Sequence, residues 1–210
     1  MKLLLLSFAL FAAACSQFSE NAQEAILKIH NDLRSAVALG GYEVQGVEHP
    51  AAANMIKMRW SPASAKTAQA YANTCSDGES GQANVGENIY LDWSQKNPSS
   101  LDKYGINAAV SWSEQFSYFG WSSTYLDEET LESGIKDATQ MVWAKTGYVG
   151  CGVKNCGPDP QTYTQAYKIM VVCHYRAMGN VLDEEIYEEG ESCSNCPAYR
   201  VCEDETGLCA

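Results

Sequence analysis

The sequence predicts a mixed α+β domain, with helices over its first two-thirds and strands over its last third. Three observations carry this. Apolar residues recur at helical spacing in Ile26, Ile29, Leu33 and Val37, and again in Ala109, Trp112, Phe116 and Phe119. Strong β-formers crowd the later segment holding Ile169, Val171, Val172 and Tyr175. Eight cysteines (Cys75, Cys151, Cys156, Cys173, Cys193, Cys196, Cys202 and Cys209) follow a leader-like N-terminus, the pattern of a disulfide-braced chain in an oxidising compartment.

The leader is residues 1–16. Lys2 is its positive end, Leu3 to Phe11 its apolar core, and Ala12 to Ser16 a small-residue cleavage zone. The apolar run is too short to span a bilayer, and no second long one follows. A secreted protein that does not span a membrane is expected. Ala12 to Cys15 also loosely resembles a bacterial lipoprotein box, the weaker reading. The formal charge of −12 argues against nucleic acid and against docking on anionic membranes through a basic patch. Cys193-x-x-Cys196 raises a zinc site, but Cys202 and Cys209 do not repeat its spacing, and disulfides are the better reading.

The first helix is expected over Asn21 to Leu39, with Asn21 and Glu24 as a capping pair and Gly40-Gly41 as the stop. His30 and Arg34 share one of its faces, and His30 reads as structural. Gly40 to His49 reads as a loop. Ser61-Pro62 opens a second helix, on which Ala65, Ala68, Ala72 and Cys75 form a small-residue stripe. Gly86 to Tyr90 opens a structured element carrying Glu87. Leu91 to Tyr104 reads as a loop whose aromatics Tyr90, Trp93 and Tyr104 either fold back on the core, the stronger reading, or form a hydrophobic docking surface. A third helix covers Ile106 to Phe119, with Glu114 off its apolar face, and a short fourth covers Thr139 to Trp143. Tyr148 to Val153 and Ala166 to Tyr175 read as strands. From Asp183 the chain is an acidic hinge, then a four-cysteine tail too small to hold a core of its own.

Four segments occur in a telling order: His30-Asn31-x-x-Arg34, Gly86-Glu87-Asn88-Ile89, Thr139-Gln140-Met141-Val142-Trp143 with Gly150-Cys151-Gly152, and Val172-Cys173-His174-Tyr175-x-x-x-Gly179-Asn180. Together they resemble the CAP superfamily of cysteine-rich secretory, antigen 5 and pathogenesis-related 1 proteins, over residues 20–182. The acidic hinge and tail (residues 183–210) are similar to those of nematode venom-allergen-like and activation-associated secreted proteins with a single CAP domain. The resemblance implies a three-layer α-β-α sandwich around a central antiparallel sheet. It implies the pairs Cys75–Cys156 and Cys151–Cys173, with the tail cysteines paired among themselves.

The resemblance also implies a central cleft holding two histidines and two glutamates. Glu87 and Glu114 match the glutamates. Neither histidine is present: one loop reads Cys75-Ser-Asp-Gly-Glu-Ser80, and the other position is Asp137. Glu87, Glu114 and Asp137 are therefore expected as the remnant of a metal cleft, with Asp137 recast as a helix cap. No metal or other cofactor is expected, and no catalytic residue. The alternative is an oxygen-ligand Ca²⁺ or Mg²⁺ site with hydrolase activity. Relatives imply two functions: binding of a sterol or fatty acid, with the sterol at Tyr90, Trp93 and Tyr104, and action on a host receptor or immune cell.

Overall fold

A computed structural model describes residues 18–210; the expected signal peptide lies outside the described residues. Six helices and ten strands are formed: α1 Glu20–Ala38, β1 Tyr42–Val44, β2 Val47–His49, β3 Arg59–Trp60, α2 Pro62–Ala72, β4 Gly86–Ser94, α3 Asp102–Ser113, α4 Gln115–Phe119, β5 Tyr125–Leu126, α5 Glu128–Glu132, α6 Lys136–Val142, β6 Tyr148–Pro158, β7 Tyr167–Arg176, β8 Glu184–Glu185, β9 Cys202–Glu203 and β10 Leu208–Cys209.

Helix α1 buries Ile26, His30, Leu33, Arg34 and Val37 on one stripe. Its cap is Ser19, whose hydroxyl accepts from the Ala22 N–H at 3.2 Å, and not Asn21. Ser61 caps α2 as expected and Pro62 follows at its first turn. The stretch read as a loop over 40–49 is the β1–β2 hairpin, turned through Gln45-Gly46, both at positive φ. Glutamine rarely takes that conformation, so the turn signal was weak.

The central sheet has the order β3-β6-β7-β4. β4, β6 and β7 are antiparallel, while the short edge strand β3 runs parallel to β6. Helices α1, α3 and α6 pack together on one face, and α2 lies on the other. Gly150 and Gly152 of β6 admit α2: a Cβ on Gly150 would stand 2.3 Å from the Ala65 nitrogen, and one on Gly152 2.3 Å from the Gln69 Cα. Two-residue spacing puts both glycines on one sheet face, so a glycine ladder sets this helix–sheet contact.

Four disulfides close the structure: Cys75–Cys156, Cys151–Cys173, Cys193–Cys202 and Cys196–Cys209. The second joins residues directly opposite in β6 and β7. Each contributes about 2–4 kcal/mol. The stretch read as an acidic hinge is held in place, because Glu184–Glu185 pairs with β5 and Ile186 and Tyr187 are buried in the core. Leu208 joins the same core, and Cys209 exchanges backbone hydrogen bonds with Met55 and Lys57. The tail is thus an extension of the domain's core.

Arg34 is fully buried without a carboxylate partner. Its guanidinium donates to the carbonyls of Ile56, Met141, Trp143, Ala144 and Thr146. Burial lowers its pKa to about 9, so it stays charged at neutral pH. Removing it would leave these carbonyls dry and unpaired. Arg34→Met should cost about 3–5 kcal/mol in urea denaturation, with no compensation from its added apolar surface.

Candidate functional site

The cleft that the motifs pointed to is a hollow of about 280 Å³ between the 79–87 segment, α6 and the 178–180 turn. Glu87, Lys136, Gln140 and Asn180 line it. Lys136 is ion-paired with Glu79 across its mouth.

Glu87 sits where β4 begins, directly opposite His174 of β7. Its Oε2 lies 2.8 Å from His174 Nε2, and its Oε1 accepts the Ser80 N–H at 2.7 Å. Burial pushes this carboxyl up, but the hydrogen bonds from His174 and Ser80 outweigh it and hold the pKa below the usual carboxylate range. His174 Nδ1 lies 2.8 Å from Thr67 Oγ1 on α2. The absence of histidine from the expected positions suggested that no imidazole reaches Glu87; the β4–β7 register brings His174 there. Thr67, His174 and Glu87 stand in the order of a nucleophile–base–carboxylate series. Yet His174 is 1% exposed, and neither it nor Thr67 lines the hollow. The series joins α2, the sheet and the 79–87 segment.

Glu114 does not join Glu87 or Asp137. It is exposed, at the break between α3 and α4. Its neighbour Gln115, about 100° further round, takes the inward place. Gln115 Nε2 donates to Asp137 Oδ2 at 2.8 Å, and its Oε1 accepts from the N–H groups of Asp137 and Ala138, both at 3.0 Å. Asp137 is therefore not the cap of α6. Gln115 caps the helix, and the Asp137 carboxyl is the group it holds. Burial raises that carboxyl to about 6, against the opposing pull of the Gln115 bond.

A hydrogen-bonded line behind the cleft absorbs the other motif residues. His30 Nδ1 lies 2.8 Å from the Ile26 carbonyl, and its Nε2 2.9 Å from the Tyr175 hydroxyl. Asn88 donates to that hydroxyl and to the Asp137 carbonyl. Burial lowers the His30 pKa to about 4, so the imidazole is neutral.

The aromatic loop is also rearranged. Tyr90 and Trp93 are in β4, and Tyr104 is a buried core residue of α3. The Trp93 indole N–H donates to Asp159 at 2.7 Å. The loop proper is 95–101 and carries no aromatic residue. Pairing with β7 carries the strand past Leu91 to Ser94, and Tyr104 falls on the helix face that meets α1. Hollows of about 570 and 590 Å³ flank the loop. Phe18 and Leu101 contribute apolar surface to the first.

The model of the cysteine-rich secretory protein family, CAP, matches residues 27–175, and the chain belongs to this family. It is 33% identical over 181 residues to venom allergen 3 of Solenopsis invicta, covering 81% of this chain and 74% of that protein. Venom allergen 5 of Tityus serrulatus is 30% identical over 191 residues, covering 88% of this chain and 44% of that protein. The chain spans less than half the length of this relative and of two others like it, peptidase inhibitor 16 of Mus musculus and venom allergen 5 of Lycosa singoriensis. Among solved structures it resembles NaASP2 with Zn²⁺, at TM-score 0.80 and 32% identity over 92% of this chain and 97% of that one. BmVAL-1 follows at TM-score 0.81 and 28% identity, over 95% and 98%. These structural neighbours are of the nematode venom-allergen-like and activation-associated type.

NaASP2 is described with Zn²⁺; in this chain the acids expected at the cleft have protein partners or face solvent. Glu87 and His174 are bonded to each other, Asp137 is bonded to Gln115, and Glu114 faces solvent. Among the described residues, the one grouping of three ligand atoms is Cys193, Cys196 and Cys209, all in disulfides.

Asp137, which does not itself line the hollow, makes the α4–α6 contact behind it pH-dependent. Its folded pKa of about 6 lies above the ordinary 3.8, so the folded state holds the extra proton between the two. Stability from this group falls as pH rises through that window. His30 acts oppositely, losing stability as pH falls from 6.5 toward about 4, so the variant must be compared with its parent at each pH. Asp137→Asn should gain about 1–2 kcal/mol at about pH 7.5. The gain should shrink below pH 6 and vanish below about 4, read by denaturant unfolding of both proteins across pH.

Proposed function

We propose that this protein is a secreted CAP domain that acts by binding and not by catalysis. Its small ligand is a lipid, a sterol or fatty acid, and its macromolecular partner is an extracellular host protein. The observation that supports the non-catalytic reading is the state of the cleft: each acid there is bound by a neighbour, and the one imidazole in reach is buried. A general base needs an open path to substrate, and His174 has none. Disulfides in every described cysteine support an oxidising, extracellular setting. No described helix is long and apolar enough to cross a membrane.

The lipid reading rests on the two hollows at the 95–101 loop, which have the size of ligand sites. The first mixes Phe18 and Leu101 with serines and Asp102, which suits a molecule with an apolar body and a polar end, while the second is lined by polar side chains and Pro98. Binding of a fluorescent sterol and of a fluorescent fatty acid tests it. Leu101→Asp should weaken the bound ligand about tenfold or more, by placing a charge on the apolar wall. Trp93→Ala should weaken it a few-fold, by freeing the strand end. Saturable binding to neither probe would remove lipid from the account.

A further inference from the structure

The chain is strongly acidic, yet its arginines are not scattered. It has four. Arg34 is buried on backbone carbonyls, and the other three gather at one end of the central sheet. Arg59 of β3 is paired in register with Tyr148 of β6, and Tyr148 with Arg176 of β7. Paired residues point to the same sheet face, so Arg59, Tyr148 and Arg176 form a row across three strands. The two arginines stand about 10 Å apart across the tyrosine, two strand spacings. Arg200 comes to the same end of the sheet from the disulfide-held tail, on the opposite face: a Cβ on Gly147, which precedes Tyr148 and so points the other way, would lie 3.7 Å from one of its guanidinium nitrogens. Arg59 and Arg176 are exposed, Arg200 is half-buried, and Tyr148 is 43% exposed.

Ion pairs take up five of the nine described lysines and none of these arginines. Lys28, Lys57, Lys136, Lys145 and Lys168 each hold a carboxylate. Among the described residues no arginine does. Two of those lysines flank the row in sequence, and they take Glu203 and Glu184. Helix α2 starts three residues after Arg59 with its N-terminus, and so its positive dipole end, on the same face. The result is an uncompensated cationic site on a chain whose overall charge is −12. Fields are screened over about 10 Å in physiological salt, so the site acts locally despite the net charge.

We propose that Arg59 and Arg176, on either side of Tyr148, form a binding site for sulfate and carboxylate groups of a sulfated glycosaminoglycan, with Arg200 adding charge around the adjacent strand end. Guanidinium forks pair with such planar or tetrahedral oxyanions through two parallel hydrogen bonds, which lysines do not match. The exposed Tyr148 ring between them offers a flat, amphipathic surface for a sugar. A narrow flexible chain can reach the row while the acidic remainder of the surface stays clear of it. A wide anionic membrane cannot, because it would face that acidic surface too.

The test is titration of the full secreted chain with a heparin-derived hexasaccharide by calorimetry, at low and physiological salt. Parent protein should bind saturably and more weakly as salt rises. Each of Arg59→Ser, Arg176→Ser and Arg200→Ser should weaken binding about two- to fivefold, and the triple variant at least about tenfold. Lys154→Ser, toward the other end of β6 and also without an ion pair, is the control and should change nothing. Arg59→Lys with Arg176→Lys keeps the charge and should recover only part of the affinity. All the arginines changed make no side-chain hydrogen bond or ion pair in the described structure, and unchanged melting temperatures would verify that the variants fold. Absence of hexasaccharide binding at low salt would overturn the proposal, as would a triple variant equal to Lys154→Ser. Binding to phosphatidylserine vesicles in place of the saccharide, lost in the same triple variant, would overturn it in favour of a membrane.

Discussion

One buried guanidinium holds the two halves of this domain in register. Arg34 comes from the first helix, and its acceptors come from the approach to β3 and from the turn joining α6 to β6. A charge taken out of water is costly unless its hydrogen bonds are met. Here carbonyls meet them, so the backbone of residues 141–146 must adopt one path. That path sets where α6 ends and where β6 enters the sheet. It thereby sets Asp137, Gln140 and Tyr148, which serve quite different parts of the surface.

The cleft follows from that placement. With α6 held, Asp137 meets Gln115, whose carbonyl oxygen is taken up by two backbone N–H groups and one of whose N–H donors is taken up by the carboxylate. With β4 and β7 in register, Glu87 meets His174. Lys136 and Glu79 close the mouth. The hollow keeps the outline of a site, but its polar groups are occupied by one another. A fold kept while its chemistry is replaced is what a scaffold with functions elsewhere on its surface would show.

Local pattern was enough for much of this. Helical periodicity and a Ser-Pro start located α1 and α2, and β-branched runs located β6 and β7, because those signals are confined to a few neighbouring residues. What it missed depends on contacts between distant segments. Glu114 and Gln115 differ by one step, and only the break between α3 and α4 decides which faces inward. His174 reaches Glu87 through strand register, which periodicity does not specify. Tyr104 read as the end of a loop before a helix at Ile106, yet the helix starts at Asp102. The hinge and tail are low in apolar residues, so three side chains (Ile186, Tyr187 and Leu208) carry their attachment, too few to stand out. Net charge also concealed the arginine row, since a sum over the chain carries no positions.

The central claim is that the cleft's groups are satisfied by the protein itself. Calorimetric titration of the purified chain with Zn²⁺, and separately with Ca²⁺, at neutral pH tests it most directly. The account predicts no saturable site at tens of micromolar ion. One-to-one binding that Glu87→Gln abolishes would contradict it.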